Sequence, residues 1–384
     1  MVSRTGLSRR NMLKGAAALS VCAFPMINIG RYAVAGAQER TYSARAVALV
    51  ERSLVIDMLG VPKLDFRPEA YSRPFSEAEV AQWRASGITA IHNAIGLESR
   101  EDALTYLAAQ QGFAGRQPEL FQLVDTAADI DRAKRDRRVA MIMGIQNASQ
   151  FSTVEDVEFF HGLGLRCAQL TYNNQNLIGS GSTDRVDGGV STFGEQIVRA
   201  MNQAGMLIDV SHSGDRTTLD AIALSTGPIA FTHTNCRALT NHPRNKTDEA
   251  LRAVAAKGGV AGITGVRMFV RDRDPTNVGH MVDHIEHVIR LVGVEHVGVG
   301  SDADLNGYDD MPPDQYEQLK ASYDRSYAFR EKIDIDGFDH PRKIYDLTEE
   351  LIRRGHTDDH IALILGGNFR RLLGAVWTRP QSGA

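Results

Sequence analysis

Eight short runs rich in β-branched residues alternate with helical patterns along the 384-residue chain, and this alternation predicts an α/β fold, a (β/α)8 TIM-type barrel. The intervening segments, such as "STFGEQIVRAMNQAG" and "MVDHIEHVIRLVG", carry apolar residues at helical spacing and glycine near their ends. An open doubly wound sheet is the alternative, but no glycine-rich phosphate-binding turn follows the first run. The predicted strands lie near residues 53–57, 88–94, 138–147, 167–172, 207–212, 229–234, 260–266 and 297–302.

The N-terminal segment differs in composition from the rest of the chain. "SRRNMLK", beginning at Ser8, precedes an apolar stretch and then the small residues "AVAGAQ", which is the pattern of a twin-arginine signal peptide. A membrane anchor fits less well because the apolar stretch is shorter than the roughly 18 residues that a spanning helix needs. A lipid anchor at Cys22 is disfavoured by Val21 before it. The sequence predicts a periplasmic protein with residues 1–37 as the signal, 38–384 as a single barrel catalytic domain and no stable membrane anchor after cleavage.

The charge of the mature chain argues against nucleic acid as a partner. Cleavage would leave 38 basic and 47 acidic residues, a net charge of −9, so no basic surface is expected. The sequence predicts a small-molecule or dipeptide-like substrate, and it leaves a homodimer open. An acidic, aromatic insertion near residues 303–341 breaks the alternation. It is either a lid over the barrel mouth or a contact arm, and the sequence does not choose.

Two predicted strands end in histidine, at His212 and His233, and the last one ends at Asp302. In a (β/α)8 barrel these ends meet at the active site. Neutral imidazoles in that position are typical zinc ligands, and a carboxylate beside them can accept a proton from activated water. His92, at the end of the second strand, is a candidate contact for a polar group of the substrate.

Several blocks carry a family resemblance: "MLIDVSHSGDRTTLDAI", "PIAFTHTNCRAL", "HPRNKTDEAL", "VGVGSDADLNG" and "ILGGNFRRLL". They resemble the membrane (renal) dipeptidase family of the amidohydrolase superfamily, and the match covers most of residues 50–375. The resemblance implies a barrel that binds two zinc ions and cleaves dipeptides. By motif position it implies that His212 and His233 bind one metal, that Asp302 is the catalytic acid/base, and that Arg244 grips the substrate carboxylate.

The chain departs from the family pattern at several site positions. The family carries Asp-Gly-His-Asn-Asp after the first strand, where the His and the last Asp bind the second metal. This chain has Leu59 and Val61 in their places. Gln146 replaces the bridging glutamate and is a poor metal bridge, and Tyr172 replaces a substrate-binding histidine. The sequence therefore predicts a divergent member that lacks the first-strand His-x-Asp and the bridging Glu, with Tyr172 as a substrate contact.

These losses make a two-metal centre improbable, because every carboxylate that would offset two close zinc ions is gone. One zinc ion at most is expected, on His212 and His233 with Asp302, Gln146 or water completing its ligands. The predicted function is a periplasmic metal-dependent hydrolase that acts on an amide bond of a small carboxylate-bearing substrate. The alternatives are a metal-free or mononuclear tailoring enzyme that catalyses elimination or isomerisation, and a non-catalytic binding barrel.

Overall fold

A computed structural model describes residues 40–323 and 325–378 of the chain. The predicted signal peptide, residues 1–37, and Cys22 lie outside the described residues. From Tyr42 onward the chain forms one compact unit. Among the described residues no helix combines the length and the apolar character needed to cross a membrane.

Eight parallel strands close into a barrel and confirm the predicted fold. The first strand pairs with the second through Ile56 and Ala90 and with the last through Asp57 and Val299, which excludes the open sheet. Each predicted run contains one of these strands. With one additional strand, β3, the described residues contain nine strands. They are β1 (Ile56–Asp57), β2 (Ala90–Asn93), β3 (Phe121–Leu123), β4 (Val139–Ile145), β5 (Cys167–Gln169), β6 (Leu207–Asp209), β7 (Ala230–Thr234), β8 (Val260–Ile263) and β9 (Val297–Val299).

The sequence did not predict β3, which lies outside the closed ring. Both β3 and β5 pair with β4, β3 at residues 139–141 and β5 at residues 144–145. The ring is completed by β2, which pairs with β4 directly. A three-residue strand whose last side chain, Leu123, is 40% exposed leaves too short an apolar pattern to detect.

Helices surround the barrel, and several of them begin at a serine, threonine or asparagine that caps the first turn. The helix after β5, for example, begins where Ser191 Oγ accepts from the Gly194 amide at 2.9 Å and ends at Gly205 in the left-handed conformation. The helices are α1 (Ala44–Arg52), α2 (Glu77–Ala85), α3 (Arg100–Gly115), α4 (Ala127–Arg135), α5 (Glu155–Gly162), α6 (Thr192–Ala204), α7 (Asp215–Leu224), α8 (Asp248–Ala256), α9 (Arg267–Val270), α10 (Val278–Val292), α11 (Pro313–Ser322), α12 (Lys343–Arg353), α13 (Asp358–Ala362) and α14 (Asn368–Val376).

The insertion near residues 303–341 covers the mouth of the barrel. It contains α11 and a short 3-10 helix, Arg325–Tyr327. Its apolar side chains, including Tyr327 and Ile333, pack with Val266 and Phe269, which follow β8. Gln315 of α11 ties the insertion to the loop after β1 by accepting from the Phe66 amide at 2.8 Å. Of the two readings that the sequence left open, this placement over the mouth favours the lid, and we call the insertion the lid.

Candidate active site

A cavity beneath the lid brings together four of the residues singled out from the sequence. Gln146, Tyr172, His212 and Asp302 all line it, and each follows the carboxyl end of a barrel strand. Its volume is about 70 Å³, roughly half of the ~150 Å³ that holds benzene in an engineered protein cavity. A substrate with the size of a dipeptide therefore requires the lid to move outward.

His212 and His233 face one another through their Nε2 atoms, which lie 2.8 Å apart. The opposite nitrogen of each ring has its own partner. His212 Nδ1 lies 2.7 Å from Asn173 Oδ1, and His233 Nδ1 lies 2.9 Å from Thr232 Oγ1. The fold thus converges two imidazoles from neighbouring strands on a single point.

The partners of the Nδ1 atoms set the tautomer of both rings. Asn173 Oδ1 can only accept, so His212 carries its proton on Nδ1. Thr232 donates its one hydroxyl proton to Asp209 Oδ2 at 2.5 Å, so it accepts from His233 Nδ1. With these tautomers both Nε2 atoms, 2.8 Å apart, direct lone pairs at one point, which is the arrangement of two ligands of one cation.

A shared proton is a poor candidate for that cation. Burial lowers the pKa of His212 and of His233 well below the ordinary value, and the positive charge of Arg244 lowers both further. Both rings are therefore neutral near pH 7, the form in which histidine binds metal ions. The chemistry of the pair is that of two metal ligands.

Asp302 occupies a strained backbone position and has an unusual acidity. Its φ is 62°, in the left-handed region that Asp and Asn tolerate better than other side chains with a Cβ. Burial raises the pKa of its carboxyl to about 7, against the opposing pull of Arg244. A group that exchanges its proton near neutrality is suited to general acid/base chemistry.

Arg244 lies behind the histidines and does not line the cavity. It is fully buried, and its guanidinium donates to the carbonyl of Ser211 and to that of His233, the latter at 3.3 Å. The side chain of Tyr327, on the lid, lies within hydrogen-bonding reach of Arg244 and Asn173. Arg244 therefore holds the backbone at both histidine strands, and a substrate carboxylate would reach it only by displacing Tyr327.

His92 also lies off the cavity wall, inside the barrel. Its Nδ1 donates to the Met58 carbonyl at 2.8 Å, and its Nε2 has no hydrogen-bond partner among the described residues. The ring packs so closely on Gly144 that a Cβ there would lie 1.8 Å from Nε2. The cavity geometry gives no support to the predicted substrate contact at His92.

A sequence model of the membrane dipeptidase family, peptidase family M19, matches residues 74–322. The chain belongs to the membrane dipeptidase family. This family of metallopeptidases and dipeptidases fits the barrel, the paired histidines and the position of Asp302.

Comparisons with individual proteins support the assignment of this chain to the membrane dipeptidase family. Dipeptidase verJ of Clonostachys rogersoniana is 32% identical over 257 residues, 66% of this chain and 60% of verJ. An amidohydrolase structure from Pseudomonas aeruginosa is 31% identical with a TM-score of 0.77, covering 86% of this chain and 99% of that one. A metallopeptidase from Rhodobacter sphaeroides, solved with a phosphinate mimic of L-Ala-D-Ala, shares the fold at 19% identity and a TM-score of 0.67, over 85% and 100% of the two chains. The chain spans between 46% and 70% of the length of the curated relatives compared with it.

The departures from the family pattern lie on the cavity itself. Leu59 and Val61 line the wall where the resemblance implies a histidine and an aspartate ligand. Gln146 donates through Nε2 to the Ala94 carbonyl at 2.8 Å, which leaves only its neutral Oε1 for a ligand. Across the described residues no three His, Cys, Asp or Glu side chains form a metal-binding group. The residues present do not fit a two-metal centre, and the metal-ligand atoms that converge on one point are the Nε2 atoms of His212 and His233.

Sequence reasoning missed the residues that support the histidines. Asp209 and Thr232 lie in the motifs that carry His212 and His233, and Asn173 follows Tyr172 with a φ of 58°. A polar residue close in sequence to each strand-end histidine was the signal that could have revealed them.

Sequence reasoning also missed the tyrosines of the lid. Tyr172 forms a hydroxyl–hydroxyl hydrogen bond with Tyr323 and stacks on His212 with ring centroids 4.2 Å apart.

Proposed function

We propose that this protein is a single-metal amide hydrolase of the periplasm, acting on a small carboxylate-bearing, dipeptide-like substrate. The observation that carries the proposal is the convergence of two neutral imidazole lone pairs, on His212 and His233, beside a cavity lined by Asp302. Membership of a family of metallopeptidases and dipeptidases supports both the metal and the amide bond.

His212 and His233 would hold the metal ion, which we propose to be zinc, and Gln146 Oε1 or water would complete its ligands, because Asp302 does not group with the two histidines. Held there, the ion would supply Lewis acidity for the activation of water and of the scissile carbonyl. Asn173 and Thr232 keep both Nδ1 atoms protonated, so both Nε2 atoms stay available to the metal.

Asp302 carries the proton transfer in this proposal. In its ionised form the carboxylate accepts a proton from the attacking water, and it then returns that proton to the leaving amine nitrogen. Its pKa of about 7 allows both steps near neutral pH. The apolar lid above it excludes bulk water, which strengthens the electrostatic interactions inside the site.

Arg244 would bind the substrate carboxylate once the lid has moved. Its charge is buried, and in the structure the lid residue Tyr327 lies beside it. Outward movement of the lid would remove this side chain and open a path to the guanidinium. Tyr172, on the cavity wall, would then donate its hydroxyl to the bound substrate.

Amide hydrolysis by residues 38–384 tests the proposal directly. A panel of dipeptides and N-acyl amino acids, in L and D forms, would be assayed for amine release before chelation, after chelation and after zinc is restored. We expect turnover that chelation abolishes and zinc restores, that is lost in His212→Ala, and that survives in the control Val186→Ala, whose native side chain is 73% exposed. Turnover that survives both chelation and His212→Ala would contradict the metal mechanism. A product formed without amine release would favour elimination or isomerisation, and binding without any product would favour a non-catalytic barrel.

Export is tested by the fate of the precursor. We propose that residues 1–37 direct the folded protein to the periplasm by the twin-arginine route. Replacing Arg9 and Arg10 with lysine should retain the uncleaved precursor in the cytoplasm, as measured by cell fractionation and immunoblotting. Unchanged processing of this variant would argue against the twin-arginine route.

A further inference from the structure

One wall of the cavity is apolar and is formed by the segments that follow β1 and β2. We call it the β1 wall, and it consists of Leu59, Val61, Leu64, Phe66 and Ile95. Val61 and Leu64 are nearly fully buried, at 5% and 6% exposure, whereas Phe66 is 42% exposed. An apolar surface that begins at an exposed aromatic ring and continues into the cavity is typical of an entry path for an apolar group.

The lid completes this surface with aromatic side chains. Tyr308 and Leu319 of the lid pack against the cluster that contains Val61 and Leu64. Tyr323 and Tyr327 stack on one another with ring centroids 4.4 Å apart, and both line the cavity. With the lid closed, aromatic side chains of the lid therefore face the β1 wall across the cavity.

Charged groups are scarce on the same cavity. Among the described residues that line it, Asp302 is the one carboxylate, and no lysine or arginine is present. Asp302 has a task at the reacting bond in the proposed mechanism, so it is not free to pair with a distant ammonium. Asp57 and Asp304 lie behind the β1 wall, where they accept from the amides of Leu59 and Leu64, and neither lines the cavity. A free amino group placed against this wall would therefore lose its hydration without a carboxylate on the cavity surface to pair with, which is costly.

We propose that the part of the substrate that contacts the β1 wall is an uncharged, apolar acyl group, so that the preferred substrates are N-acyl amino acids and not free dipeptides. This inference rests on the proposed amide hydrolysis for its chemistry. The preference for an apolar acyl group rests only on the residues that line the cavity. Binding measurements therefore test this preference separately from turnover.

The test uses glycyl-L-alanine and N-propanoyl-L-alanine, which differ only in an ammonium group against a methyl group, together with N-hexanoyl-L-alanine and the D forms of all three. Binding to residues 38–384 would be measured by isothermal titration calorimetry, and amine release would be followed in parallel. We expect N-propanoyl-alanine to bind at least about tenfold more tightly than glycyl-alanine. Longer acyl chains should bind about fourfold more tightly for each added methylene.

Variants of the β1 wall separate the effect of charge from a general disturbance. Val61→Asp places a carboxylate on the wall and should shift the ratio of affinities toward glycyl-alanine by about tenfold. Val61→Asn, of similar size and without charge, should leave that ratio close to the unmodified value. Val186→Asp, at a position 73% exposed, controls for the added negative charge elsewhere on the molecule.

Each outcome separates this inference from the proposed function. Tight binding of the N-acyl compounds without turnover would support the inference and contradict the hydrolysis. Preferred binding and cleavage of glycyl-alanine would support the hydrolysis and overturn the inference. Equal affinities, no effect of chain length, or no binding of any of these compounds would also overturn it.

Discussion

Single side chains around Asp302 and the two histidines carry the chemistry of this site, and each is held by a neighbour with a definite role. Asn173 and Thr232 fix the protons of the two imidazoles, while burial brings the acidity of Asp302 into the neutral range. Burial raises the pKa of Asp302 into the range that suits proton transfer. It also makes ionisation of this carboxyl unfavourable for the stability of the folded state.

Asp302→Asn should lower the rate of hydrolysis strongly and stabilise the protein at alkaline pH. The base form of Asp302 is required, so kcat/KM of the unmodified protein should fall as pH decreases through about 7, and the variant should lose about 10²–10⁴-fold in rate. Asparagine tolerates the φ of 62°, whereas alanine would add strain.

The sign of the effect on stability follows from the raised pKa. The folded pKa of about 7 exceeds the ordinary 3.8, so the folded state binds this proton more tightly and loses stability as pH rises through that interval. Asp302→Asn should therefore raise Tm more at pH 8 than at pH 5, as measured by calorimetry at both values. An equal gain at both pH values would show that Asp302 is not responsible.

Thr232→Val should weaken metal binding. The substitution keeps the shape of a fully buried side chain and removes the hydroxyl that links Asp209 to His233. We expect about 10–100-fold lower zinc affinity in a competition titration with a chromophoric chelator. Thr234→Val, on the same strand, is the matched control, because the Thr234 hydroxyl contacts only backbone carbonyls. Unchanged affinity in Thr232→Val would remove this threonine from the site.

Among the elements, the lid decides access to the site. The lid helix α11 joins the loop after β1 through Gln315, and Tyr323, the residue that follows α11, hydrogen-bonds to Tyr172, which follows β5. The cavity that it closes is smaller than a dipeptide, so binding must be coupled to lid movement.

Tyr323→Phe should loosen the lid. The variant loses the hydroxyl pair with Tyr172, and one hydrogen bond contributes about 1 kcal/mol, so hydrogen exchange of peptides from α11 should accelerate about fivefold. Tyr106→Phe is the control, because the Tyr106 hydroxyl has no hydrogen-bond partner among the described residues. If exchange is unchanged in Tyr323→Phe, the pair does not hold the lid.

The molecule as a whole depends on the closure of its first strand against its last. Few backbone pairs join β1 to β9, and the buried side chain of Asp57 adds to them. Its Oδ1 accepts from the Ser301 amide at 2.7 Å and from the Leu59 amide at 3.3 Å. The Asp57 carboxylate therefore links the segments that follow β1 and β9, next to the active site.

Asp57→Ala should destabilise the fold by about 1–3 kcal/mol, because two buried amides lose their acceptor. Asp57→Asn keeps an acceptor oxygen and should recover much of that loss. Urea unfolding of both variants, with the surface variant Asp136→Ala as the control, measures the difference. Equal stability of Asp57→Ala and the unmodified protein would show that backbone pairing alone closes the barrel.

The barrel was predictable from sequence because each strand of the closed ring is a local β-branched run, as in Leu207–Asp209 and Ala230–Thr234. The positions of His212 and Asp302 on the cavity were also predictable, because strand ends converge in this fold. The lid contacts were not, because Tyr172 and Tyr323 are 151 residues apart and no local pattern encodes their meeting. The burial of Arg244 behind the histidines depends likewise on tertiary packing.

The metal content of residues 38–384, purified without chelators, tests the central claim that His212 and His233 hold one ion. The comparison variants are the His212→Ala, His233→Ala double substitution and His280→Ala, which changes a histidine on the outer helix α10. We predict about one zinc ion per chain in the unmodified protein and in His280→Ala, and none in the double variant. Two ions per chain, or no zinc above the level of the double variant, would contradict the account.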